Sequence, residues 1–219
     1  MAIKKAKNEI ETLEQYRIAL ENVYREQVIA QEMHQLGYGQ ETIEKGKQLL
    51  EETRQAYDAR QYKSDQESAS YDRYAQRKKE LEKFYGLHRK KAKIIFRKEP
   101  MIMERLELDS RVPAAYLKWL ETVKKFYTVS LSDELIQAKL LRLRVTEDEL
   151  HEGNKRIEEL EELRAEYLKA KGIAQDSTKH KDAAFNKLDD WMSEFYSVAR
   201  IALEENQQLL ESLGKFVRS

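Results

Sequence analysis

The sequence has no cysteine, two prolines and seven glycines in 219 residues, and no long stretch free of charge. Without cysteine there is no thiolate nucleophile, no Cys-ligated zinc, no iron–sulfur cluster and no disulfide framework. Glycine and proline are too scarce to punctuate a many-stranded sheet, which makes helices the expected element. No run of about 18 uncharged apolar residues is available to cross a bilayer. The N-terminal Met-Ala-Ile-Lys-Lys-Ala-Lys-Asn-Glu-Ile lacks the apolar centre of a secretory signal. A soluble, cytoplasmic protein without a transmembrane segment is expected. Net charge is missing as well, because 40 Lys and Arg balance 40 Asp and Glu.

What the chain does contain is a duplicated pattern. At an offset of 107 residues, Leu13 falls on Leu120, Ile29 on Ile136, Gly46 on Gly153, Leu81 on Leu188, Ala92 on Ala199 and Leu106 on Leu213, without a gap. The expected fold is all-α: an elongated antiparallel helical bundle of two ~107-residue pseudo-repeats, 1–110 and 111–219, each with three long helices and a short terminal helix. The same apolar stripes serve two consecutive three-helix bundles or one six-helix bundle. Coiled-coil packing and homodimerisation are open to such helices too.

Helix one is predicted from about Lys4 to Leu36 on a stripe of Ile3, Ala6, Ile10, Leu13, Leu20, Val23 and Ala30. Its counterpart is predicted to open at Pro113 and reach about Arg144, with a weak, kink-prone stretch over Thr128 to Ser132. Helix two is predicted to start after Gly39 and, in the second copy, after Thr146, where Thr146 and Glu149 form a capping box. Gly46 and Gly153 fall on its apolar face, a placement that predicts close approach of another backbone. Turns into helix three are predicted near Ser64-Asp65-Gln66-Glu67 and near Gly172. Pro100 opens one short helix; Asn206 and Gly214 bracket the other. Period and three-helix plan resemble those of spectrin-type repeats. Pro100 and Pro113 depart from the continuous helix that joins such repeats, and membership is not assigned.

Motifs for chemistry are sparse. A di-metal carboxylate centre in a bundle needs two Glu-x-x-His steps plus further inward carboxylates. Asp148-Glu149-Leu150-His151 offers half of one, and His34, His88 and His180 have Gln31, Tyr85 and Ser177 three residues upstream. No nucleophile elbow, phosphate loop or dinucleotide turn occurs. No catalytic residue, metal or cofactor is therefore assigned. The expectation leans away from an enzyme, with a helical-bundle enzyme using an unrecognised site as one alternative. The aromatics sit at helical spacing and are expected in the core, and His88, aligned with Phe195, is expected to be a partly buried polar residue.

One charge feature is uneven. Between Arg77 and Lys98 the cations Arg77, Lys78, Lys79, Lys83, Arg89, Lys90, Lys91, Lys93, Arg97 and Lys98 face only Glu80 and Glu82, giving +8. The equivalent window, Ala184 to Glu205, has two bases and five acids, giving −3. Such a helix can contact nucleic-acid phosphates, with Tyr71, Tyr74, Phe84 and Tyr85 nearby for stacking, or lie peripherally on an anionic membrane surface. It can also pair with the acidic stretch Glu147 to Glu166, where nine acids meet three bases for −6. The reading favoured by overall neutrality is a non-enzymatic, scaffold- or adaptor-like interaction protein whose partner is another protein or itself. A nucleic-acid or anionic-membrane binder using 77–98 is the other alternative.

Overall fold

A computed structural model describes residues 8–214, and among them the ordered elements are all helical. The order is α1 (Glu9–Arg25), α2 (Gln27–Gln35), α3 (Gln40–Phe96), α4 (Pro100–Arg105), α5 (Tyr116–Ser132), α6 (Glu134–Leu141), α7 (Glu147–Ala202) and α8 (Leu209–Ser212), with a 3-10 turn at Glu204–Asn206 before α8. The predicted start at Lys4 and the stripe residues Ile3 and Ala6 lie outside the described residues.

Local chemistry sets most boundaries. Asn8 begins α1 by accepting a hydrogen bond from the Ile10 amide, and Asp133 begins α6 by accepting from the Leu135 and Ile136 amides. At the start of α7 the predicted capping box forms: the Glu149 amide donates to Thr146 Oγ1 at 3.2 Å, and the Thr146 amide donates to Glu149 Oε2 at 3.3 Å. Gly37, at φ 86°, ends α2 in a left-handed turn in which the Tyr38 amide reaches back to the Met33 carbonyl at 2.9 Å.

Five boundaries differ from the sequence expectation. Helix one is broken at Glu26, whose extended backbone separates α1 from α2. The kink expected over Thr128 to Ser132 is a full break at Asp133. Pro113 lies before α5, which starts at Tyr116. Finally, no turn occurs at Ser64–Glu67 or at Gly172, because α3 and α7 run through both positions as single helices of 57 and 56 residues. A Ser-x-x-Glu step is compatible with a helix interior, and one glycine costs about 1 kcal/mol, too little to end a long packed helix.

The chain forms two compact units, Met1–Ser64 with Ile173–Ser219, and Asp65–Gly172. These units do not coincide with the sequential halves 1–110 and 111–219. In the first, α1, α2 and the early part of α3 enclose a core with the late part of α7 and α8: Leu20, Ile29, Met33 and Ile43 pack with Leu188, Met192, Phe195 and Leu213. Gly46 against Trp191, and Thr53 donating to the Ala184 carbonyl, set α3 and α7 antiparallel there. In the second, late α3 packs Leu81, Tyr85, Ala92 and Phe96 against Phe126, Tyr127, Ile136, Leu140, Leu150 and Leu160 of α5, α6 and early α7. Arg73 to Glu166 and Arg77 to Glu159 mark the antiparallel pairing in that unit. The glycines expected to admit a backbone admit rings instead, Trp191 at Gly46 and Tyr127 at Gly153.

Candidate functional site

The ten cations between Arg77 and Lys98 separate into two classes in the second unit. Four are occupied. Arg77 bonds Glu80 and Glu159 at 3.2 and 3.4 Å, and Lys78 bonds Glu82 at 2.5 Å while lying over the Trp119 ring. Arg89 is buried and donates to the carbonyls of Glu107 (2.8 Å), Leu108 (3.4 Å) and Ser110, tying late α3 to the segment after α4. Lys91 donates to the Arg144 carbonyl at 3.3 Å. The predicted pairing with the acidic stretch thus engages Arg77 alone of the ten by a direct ion pair, with Arg73 and Lys124 supplying neighbouring contacts to Glu166 and Glu161.

Lys79, Lys83, Lys90, Lys93, Arg97 and Lys98 are exposed, and among the described residues none of them has a carboxylate within ion-pair distance. At roughly 100° per residue, Lys79, Lys83, Lys90 and Lys93 fall within a sector of about 80°, along about 21 Å of helix. Gly86 lies in the middle of this sector, with open space where a Cβ would be. Leu81, Tyr85, His88, Ala92 and Phe96 occupy the opposite side and are buried. The four occupied cations lie outside the sector and hold both acids of the stretch, Glu80 and Glu82, leaving the outward lysines unopposed. Arg97 and Lys98 follow in the turn that ends α3. Two exposed aliphatic side chains, Leu87 and Ile94, border the same face at 52% and 64% exposure.

The aromatic side chains near this helix are spent internally. Tyr74 stacks on Tyr167 with ring centres 5.9 Å apart and meets Tyr116 edge-on at 6.1 Å, while Tyr71 packs on Tyr167 at 5.3 Å. Phe84 lies 4.4 Å from the His88 ring and carries the Arg156 guanidinium on its face. Tyr85 packs edge-on against Phe126. Tyr74, Phe84 and Tyr85 do not face outward with the lysines; Tyr71 is half exposed, at 48%, but packs on Tyr167 and lies about 80° round the helix from Lys79, outside the lysine sector.

His88 is fully buried, more so than its sequence environment indicated. Its Nδ1 lies 3.2 Å from the Tyr127 hydroxyl and its Nε2 3.6 Å from Glu149. Burial pushes its pKa down to about 4; Glu149 opposes the shift, and Lys91 and Arg156 add to it. At neutral pH the ring is uncharged. His151, the half-motif histidine, is exposed and lies 3.7 Å from Glu147. Among the described residues no three His, Asp or Glu side chains gather in a metal-binding arrangement, and no helix is long and apolar enough to cross a membrane. Sequence reasoning missed the shared exposure of Leu87 and Ile94, whose signal was available as apolar residues seven apart on the lysine side of the helix. Compared with known proteins, the chain matches no family model, no curated sequence and no solved structure.

Proposed function

We propose that this chain is a scaffold- or adaptor-like interaction protein that contacts an anionic partner through the outward face of late α3. The observation that carries the reading is the sector of Lys79, Lys83, Lys90 and Lys93, exposed, unopposed and directed away from the core. Four lysines within about 21 Å repel one another. A fold indifferent to partners gains nothing from that arrangement, whereas a polyanion relieves it and releases counterions on binding.

The pseudo-repeat reading supports the same view. Shifting α1 by 107 residues gives the bounds of α5, Tyr116–Ser132, and shifting the start of α3 gives the start of α7, Glu147. The helix breaks at Glu26 and Asp133 are 107 apart. So are the left-handed residues, Gly37 with Arg144 and Glu107 with Gly214. Two copies with shared backbone features carry different outward faces: Lys79, Lys83 and Lys90 correspond to Asn186, Asp190 and Ser197, while Lys93 corresponds to a second cation, Arg200. Lys79, Lys83 and Lys90 are therefore not a requirement of the repeat's packing, and a surface role accounts for them.

The test is retention on a polyphosphate resin with elution by salt. The K79E/K83E/K90E/K93E variant is expected to lose retention. A control with Lys45, Lys118, Lys169 and Lys187 changed to Glu carries the same net charge, dispersed over the surface, and is expected to keep most of it. Equal loss in both variants would reduce the effect to bulk charge and end the proposal.

A further inference from the structure

We infer that the anionic partner is a lipid surface, on which late α3 lies with its lysines among the headgroups and Leu87 and Ile94 inserted beside them. This inference rests on the basic-face reading and narrows it to one partner chemistry. The lysine sector and the two aliphatic side chains occupy one continuous outward face. At roughly 100° per residue, Ile94 and Leu87 lie about 60° and 80° from Lys79. The pair is one heptad apart, so both project to the same side at about the same depth. Exposed at 64% and 52%, they bury little against the protein.

A helix lying in a membrane interface combines these two features: cations for anionic headgroups and aliphatic side chains for the acyl boundary. Lysine stems are themselves apolar and can follow the aliphatics down while their ammonium groups stay in the headgroup layer. A nucleic acid matches the lysines but not the rest of the face. Its phosphates have no use for Leu87 and Ile94, and of the rings that would stack bases Tyr74, Phe84 and Tyr85 are packed inside the unit, while the half-exposed Tyr71 is engaged by Tyr167 and lies about 80° from Lys79 on the side away from the two aliphatics. A second copy of the chain applied through the same face would set lysines against lysines. Each lysine near an anionic surface strengthens binding about fivefold, so four give a strong, salt-sensitive attraction on a chain of zero net charge.

The full chain is tested by co-sedimentation with vesicles of phosphatidylcholine alone and of phosphatidylcholine mixed with phosphatidylserine, and by binding to duplex DNA. Wild type is expected on the anionic vesicles and not on the neutral ones. L87S/I94S should weaken vesicle binding on the order of tenfold from lost apolar burial, while retention on polyphosphate stays unchanged. K79E/K83E/K90E/K93E should abolish both. Because the chain has no cysteine, an Ile94→Cys variant can carry a single polarity-sensitive fluorophore. Its emission should shift to the blue on anionic vesicles and stay put on DNA, and a label at Ser197, the counterpart of Lys90, should not respond. If L87S/I94S binds vesicles as wild type does, or if wild type prefers duplex DNA, the lipid assignment is wrong while the basic-face reading stands. If the lysine reversal alters neither vesicle binding nor polyphosphate retention, both fail.

Discussion

A methyl group added at Gly46 would lie 2.3–2.8 Å from the Trp191 ring, and one at Gly153 would lie 2.2–2.5 Å from Tyr127. Both rings are held by core neighbours, Trp191 stacked on Phe195 and Tyr127 against Phe126 and Tyr85, so neither can step aside without repacking. Gly46→Ala and Gly153→Ala should each destabilise by about 1–3 kcal/mol, the usual cost of overpacking. Gly86→Ala meets open space and should stabilise by about 1 kcal/mol through helix propensity. Thermal denaturation of the three variants separates packing from propensity. The sequence placed the first two glycines on an apolar face, but the identity of what approached them depended on partners more than a hundred residues away for Gly46. His88 gives a pH signature. Its folded pKa of about 4 lies below its ordinary value of 6.5, so the unfolded chain binds the extra proton between those limits. Stability should therefore fall as pH drops from about 6.5 towards 4. In His88→Phe, which installs the residue found at Phe195, that part of the fall should disappear from urea midpoints measured across the window.

At the scale of elements, starts were more legible than continuity. Gln40 and Glu147 follow Gly39 and the Thr146–Glu149 box, short-range signals complete within four residues. The break at Glu26 has no such signal: no side chain caps α2, and nothing local distinguishes that glutamate from its neighbours. The Ser64–Glu67 step misleads for the opposite reason, since it offers capping residues where the helix has no end. Asp65→Pro distinguishes the two arrangements. At the first position of a new helix proline is well tolerated. Inside continuous α3 it removes a backbone donor and clashes with the preceding turn, costing about 3 kcal/mol. The continuous helix predicts a clear loss of melting temperature, even though Asp65 is exposed and makes no core contact. Among the ten cations the sequence could mark the stretch but not which of them face outward. Arg89 is claimed by carbonyls at 107–110 and Lys91 by that of Arg144, contacts that arise only after the chain has folded back.

At the scale of the whole molecule, apolar periodicity tells which side of a helix is buried and not which helix covers it. Leu81, Tyr85 and Phe96 belong to the sequential half 1–110, yet they share their core with Phe126, Tyr127, Ile136 and Leu150 from the other half. The same holds for Leu20 and Ile43 with Met192 and Phe195. A sequence pattern that recurs at an offset of 107 therefore does not say where a compact unit begins, because a helix can complete its neighbour's core as readily as its own when the two cores use similar residues. The fragment Asp65–Gly172 contains the whole of the second core on one uninterrupted stretch of chain. Expressed alone, it should be helical and unfold in one cooperative transition, with Trp119 reporting tertiary structure by near-ultraviolet circular dichroism. The sequential fragment 1–110 retains Leu81, Tyr85, Ala92, Phe96, Leu106 and Leu108 but none of their partners from α5, α6 or α7. As a monomer it should melt broadly, without a near-ultraviolet tyrosine signal of native strength. A cooperative monomeric 1–110 would require late α3 to fold back on its own half, in conflict with the unbroken helix through Ser64.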